Sequence, residues 1–182
     1  MNIMIVGVGG QGTLLASRIL GKVAIKEGYD VKVSEVHGMS QRGGSVVTYV
    51  KYGDKVYSPI IDRGEADLIL AFEMRALPYL KKGGKMIANT QKMNPMPVIT
   101  GAMEYPENIE EKLSAKINLQ AVDALSLAEK AGTIKAVNVV LIGLLAKSMD
   151  VDKNVWIDVI KETVPEKFLD VNIKAFELGY EL

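Results

Sequence analysis

Two short stretches carry the side chains and backbone freedom that binding chemistry needs. The first is GVGGQG, Gly7 to Gly12, which fits G-x-G-x-x-G through Gly7, Gly9 and Gly12 between an apolar run and a helical pattern. Glycines there let a ligand approach the backbone, and the free N–H groups of Gly10–Thr13 at a helix start suit a phosphate or a carboxylate. The second is SEVHGMSQRGGSVVTY, residues 34–49, with the chain's only histidine and an Arg-Gly-Gly turn. His37 offers an imidazole that can donate or accept, Arg42 offers a planar fork of donors, and Gly43-Gly44 tolerate positive φ or a close neighbour. The candidate ligand or interface residues are therefore Gly9, Gly10, Gln11, Gly12 and Thr13 from one stretch, and His37, Gly38, Ser40, Gln41, Arg42, Gly43 and Gly44 from the other. Each has a plainer reading. The glycines serve a tight turn and close helix packing, and the second stretch is a solvated loop whose His and Arg bond local carbonyls.

Other chemistry lacks its residues. One histidine gives no metal pair, and zero cysteines give no disulfide, zinc thiolate or sulfur-held iron–sulfur cluster. There is no G-x-S-x-G elbow and no phosphate loop ending in G-K-[ST]. Glu110-Glu111, Asp150 and Asp152 read as solvated charges. No residue of this chain is assigned a catalytic or metal-binding role. A dinucleotide reading stays open, because Glu35 stands about 20 residues beyond the glycines, where an acidic ribose partner belongs. So does a scaffold whose Gly loop holds nothing.

The elements that position these stretches follow from apolar spacing. Ile3–Val6 reads as a strand, Gln11–Glu27 as a helix closed by Gly28, and residues 29–36 as a second, parallel strand of a βαβ unit. In an open α/β sheet both stretches then face one crevice at the carboxyl ends of the strands. Residues 45–58 read as a hairpin turning at Gly53-Asp54, in place of a second crossover helix. Residues 66–72 form a buried strand, a short helix runs through Leu80 to a stop at Gly83-Gly84, and 85–89 is a further strand. An extended connection over 91–106 leads to a helix at 108–115 and a strand at 117–123. Helices follow at Leu125–Ala131, Val137–Lys147, Lys153–Thr163 and Lys167–Tyr180. The fold class is α/β, a Rossmann-like mostly parallel sheet flanked by helices, with an inserted β-hairpin and a helical C-terminal third. One domain over residues 1–182 is expected.

Composition narrows the partners. Twenty-two basic and 22 acidic residues cancel, so nothing points to nucleic acid or to an anionic membrane. The opening residues lack the basic region of a signal peptide. The apolar run 136–146 is shorter than the roughly 20 residues a bilayer requires. The chain is expected in the cytoplasm.

MNIMIVGVGGQGTLLASRIL followed by EVHGMSQRGGSVVTYVKYG, with ADLILAFE further on, resembles the gamma-type module of the 2-oxoacid:ferredoxin oxidoreductases, nearest its indolepyruvate branch. The likeness spans essentially the whole chain. It implies a subunit of an enzyme that oxidatively decarboxylates a 2-oxo acid to its acyl-coenzyme A and passes electrons to ferredoxin. It also implies thiamine diphosphate, magnesium and iron–sulfur clusters. This chain lacks cysteine and the G-D-G…N motif that holds magnesium diphosphate, so those cofactors are expected on a large partner subunit, and the chain is expected to be inactive alone. Its own contribution would be Gly9–Gly12 and His37–Gly44 at a substrate or coenzyme A cleft.

Overall fold

The computed structural model describes residues 1–39, 43–72, 77–94 and 96–182. Its strands are β1 (Asn2–Val8), β2 (Asp30–His37), β3 (Ser45–Gly53), β4 (Ala66–Ala71), β5 (Leu80–Asn89) and β6 (Asn118–Val122). They form one six-stranded sheet in the order β2-β3-β1-β4-β5-β6. β1, β4, β5 and β6 pair in parallel, whereas β3 is antiparallel to both β1 and β2. The helices are α1 (Thr13–Lys26), α2 (Met96–Ile99), α3 (Ile109–Ser114), α4 (Ala124–Ala131), α5 (Val137–Lys147), α6 (Lys153–Thr163) and α7 (Leu169–Tyr180).

The helical layer is one-sided. Strand residues Ile3, Ile5, Val50, Leu68, Leu70 and Ile87 share a core with α1, α4, α5, α6 and α7. On the opposite face Met4, Val6, Ile69, Ala71, Met86 and Ala88 pack with Ile61 and the connecting segments. Period-two alternation sends neighbouring strand residues to these two cores. α5 is buried from Asn138 to Ala146, which explains its almost wholly apolar sequence. It crosses α7 at closest range through two glycines. A Cβ on Gly143 would collide with the carbonyl of Phe176, and one on Gly179 with that of Val140. Trp156 of α6 stacks on Phe176 at 6.4 Å between centroids.

Three expectations are corrected. The hairpin is β2–β3, not residues 45–58. β3 is a single strand to Gly53, registered against β2 from Asp30↔Gly53 to His37↔Val46. The Asp30 carboxylate accepts from the amide of Val56 at 2.9 Å, tying the chain down beside the start of β2. Residues 54–58 therefore have no strand to join. β1 and β2 run in the same direction, as a βαβ unit requires, yet β3 lies between them.

The helix expected through Leu80 is reduced, among the described residues, to a 3-10 turn at Leu77–Tyr79, and Leu80 already begins β5. Gly83-Gly84 do not stop a helix. They lie in a bulge where the register against β4 shifts between Ala66 and Leu68. A Cβ on Gly84 would stand 3.0 Å from the carbonyl oxygen of Asp67. Finally, the connection 91–106 contains the single turn α2. The four C-terminal helices fall where the spacing puts them, the last after a 3-10 turn at Glu166–Phe168. Among the described residues no helix is long and apolar enough to cross a membrane.

Candidate functional site

The carboxyl ends of β1, β2 and β4–β6 share one edge of the sheet, because only β3 is reversed. The Gly loop leaves β1 there, and residues 38–44 connect β2 to β3 there. The two are bonded to each other. Gly9 N–H donates to the Gly44 carbonyl at 2.8 Å, and Gly43 N–H donates back to the Gly9 carbonyl at 3.1 Å. Gly43 has φ +75°, a value a side chain resists. The expectation that both stretches face one crevice thus has a backbone cause.

Within the Gly loop, Gly10 (φ +102°) and Gly12 (φ +79°) are left-handed, and α1 begins at Thr13. The side chain of Gln11 folds back as a brace. Its Oε1 accepts from Val8 N–H at 2.8 Å and its Nε2 reaches the sulfur of Met93 at 3.1 Å. Gly7 leaves room for this brace, since a Cβ would stand 2.7 Å from Gln11 Oε1. The amide of Gln11 is itself spent on the Val8 carbonyl at 3.2 Å. Of the four N–H groups expected to be free, those of Gly10, Gly12 and Thr13 have no partner among the described residues.

These donors open on a cavity of about 460 Å³ whose walls include Gly9, Gly10, Gly12 and Thr13 on one side and Glu35 and His37 on the other. Thr13 is 5% exposed and lines the cavity. Three amides at a helix N-terminus form an electropositive wall. The facing wall carries a carboxylate. Glu35 Oε2 accepts from the hydroxyl of Thr48, a buried residue of β3, at 3.2 Å. His37 is exposed, with Nδ1 3.1 Å from the Gly38 carbonyl oxygen. An anionic group fits against the loop, away from Glu35.

Gly9, Gly10, Gly12, Thr13 and His37 are therefore brought together around the cavity, and Gly43 and Gly44 support it from behind. Gln11 serves as a brace, and Gly38 lies in the open with nothing near its Cα. Ser40, Gln41 and Arg42 lie outside the described residues. The residue that sequence reasoning passed over is Asn138. It is 2% exposed at the start of α5, and its Nδ2 donates to the Gly12 carbonyl at 3.1 Å. A lone amide in the apolar run AVNVVLIGLLA was the available signal.

The fold is that of a small α/β gamma-type subunit of 2-oxoacid:ferredoxin oxidoreductases. The chain is 45% identical to the indolepyruvate oxidoreductase subunit IorB of Thermococcus kodakarensis, over 98% of this chain and 93% of that protein. It is 46% identical to the protein of the same name from Pyrococcus horikoshii, with the same shares covered. Among solved structures, the gamma subunit of a keto/oxoacid ferredoxin oxidoreductase from Geobacter sulfurreducens superposes with a TM-score of 0.72 at 26% identity, covering 99% of this chain and 96% of that one. The chain belongs to the pyruvate ferredoxin/flavodoxin oxidoreductase family, whose family model matches residues 2–182.

Proposed function

We propose that this chain is the subunit without cofactors of a thiamine diphosphate-dependent oxidoreductase that converts indolepyruvate, or a related arylpyruvate, to its acyl-coenzyme A and passes the electrons to ferredoxin. The observation that carries its part in the reaction is the bonded pair of loops, Gly9 with Gly43 and Gly44, which puts an electropositive backbone wall at the mouth of a 460 Å³ cavity. That wall holds an anionic group, a carboxylate or a phosphate, at a cleft completed by a large partner subunit. Residues 37–44 are a site whose occupant is contributed largely by that partner. The two indolepyruvate relatives support the choice of 2-oxo acid.

The residues present do not fit the enzyme's cofactors. Without cysteine no thiolate can hold an iron–sulfur cluster. Gly53-Asp54 is not a magnesium–diphosphate motif, and Gly53 pairs with Asp30 at the edge of the sheet opposite the Gly loop. Thiamine diphosphate, magnesium and the clusters therefore belong on the partner. Against a dinucleotide in the same cavity, the Gly9 amide is already bonded and the Glu35 carboxylate already accepts from Thr48.

Two measurements test the reading. Indolepyruvate- and coenzyme A-dependent reduction of a viologen dye should require both this chain and the large subunit, and calorimetric titration of the purified chain with NAD or NADP should give no heat of binding. Turnover by this chain alone with thiamine diphosphate, or tight dinucleotide binding, would overturn it.

A further inference from the structure

The left-handed conformation of Gly12 is held from outside its own loop. Asn138, in the first turn of α5, sends Nδ2 to the Gly12 carbonyl at 3.1 Å, the same oxygen that accepts the first helical bond of α1 from Ala16 at 3.1 Å. The other end of the amide, Oδ1, accepts from Val139 N–H at 3.0 Å. A Cβ on Gly12 would stand 2.5 Å from Asn138 Nδ2, so loop and amide are in direct contact. A buried polar side chain costs free energy unless it is bonded. This one is bonded to the one carbonyl that joins the Gly loop to its helix. Thr13, 5% exposed, lines the cavity beside it.

We infer that Asn138 is a positioning residue of the Gly loop. By fixing Gly12 it turns the N–H groups of Gly10, Gly12 and Thr13 toward one oxyanion, supplied by a phosphate or by a 2-oxo acid carboxylate. The inference rests on the reading above that the loop holds an anionic group. Asn138 touches no ligand in this scheme and acts through Gly12.

The test uses the full chain, labelled for NMR, titrated separately with inorganic pyrophosphate and with phenylpyruvate, so that the responding probe identifies the source of the oxyanion. Asn138→Ser keeps an oxygen for the start of α5 but is too short to reach the Gly12 carbonyl. Val159→Ala, in the buried face of α6, is the control for lost stability alone. In the ligand-free chain Asn138→Ser should move the amide resonances of Gly10, Gly12 and Thr13, and Val159→Ala should not. Probe binding should weaken about fivefold in Asn138→Ser, the size of one lost neutral hydrogen bond, and be unchanged in Val159→Ala. In a Gly12→Ala background Asn138→Ser should weaken binding no further. Unmoved loop resonances, wild-type affinity in Asn138→Ser, or equal weakening in Val159→Ala each overturns the inference. If the resonances move but the wild-type chain binds neither probe, the anion reading of the loop fails, and the ligand-directed role of Asn138 falls with it.

Discussion

Gly9 and Gly44 lie 35 residues apart and are joined by a 2.8 Å hydrogen bond from the amide of the first to the carbonyl of the second. The bond couples the start of the α1 turn to the loop between β2 and β3, so neither glycine stretch can shift without the other. Three amides around the cavity then owe their direction to a partner loop as well as to their own sequence.

The return bond from Gly43, at φ +75°, gives the first prediction. Gly43→Ala forces a side chain into the left-handed region at a cost of about 1–2 kcal/mol. The strain falls on an exposed loop, so the melting temperature of the isolated chain should drop by only a few degrees. Turnover of the assembled enzyme should fall more steeply. A circular dichroism melt and a dye-reduction assay on the same preparation check this, and wild-type turnover would dissociate the loop pair from function.

Arg42 gives the second, from the chemistry of its side chain. Arg42→Ala should change the stability of the isolated chain by no more than about 0.5 kcal/mol, as expected of a side chain that serves binding and not the fold. Assembly or turnover of the complex should fall more than tenfold if the guanidinium meets an anion or a partner at a desolvated contact, where one charge-assisted contact is worth roughly 2–5 kcal/mol. Partner affinity by surface-immobilised binding, together with turnover, decides the matter.

The α5–α7 crossing gives the third. Both Gly143 and Gly179 face a backbone carbonyl of the other helix with no space for a methyl group. Gly143→Ala or Gly179→Ala should destabilise the chain by about 1–3 kcal/mol or more, although alanine is the better helix former. Urea titration followed by tryptophan fluorescence reads this directly, since Trp156 stacks on Phe176 at that crossing. A stabilised variant would refute the close approach.

Two groups at the end of the sheet away from the Gly loop set a dependence on pH. Burial pushes the Asp67 carboxyl upward, but donors from Lys81 and from the Asn2 amide at 2.6 Å outweigh it and hold the group below its ordinary 3.8. A depressed carboxylate contributes stability that is present above its unfolded value and lost as pH falls through the folded one. Asp67→Asn should therefore flatten the fall in stability below about pH 4. Tyr52 is raised to about 12, first by burial and then by Tyr29 and Asp67. Its contribution is complete below pH 10 and is lost as pH rises toward 12. Burial raises the Tyr49 phenol as well, so phenolate absorbance followed against pH should keep a delayed component in Tyr52→Phe but lose the part that titrates last in wild type.

Local pattern was enough for much of this protein. Apolar runs bounded by glycine placed β1, α1 and the last four helices, because each depends on spacing and stop signals within a few residues. The two glycine stretches stood out by composition, and their shared crevice followed from the rule that strands of one direction open their loops at one edge. What only the tertiary structure decided was long in range. The same β-rich residues 45–53 serve equally well as half of a local hairpin or as a strand between β1 and β2, and the register of eight cross-strand pairs with β2, from Asp30↔Gly53 to His37↔Val46, selects the second. Gly83-Gly84 read as a helix stop, yet a register shift against β4 makes them a bulge. Asn138 looked like an isolated polar residue in a core helix until folding brought it 3.1 Å from a carbonyl 126 positions earlier in the chain. Helical spacing reports which face of a segment is buried, but not which backbone group a buried amide will meet. That pairing is fixed only when sheet and helices pack.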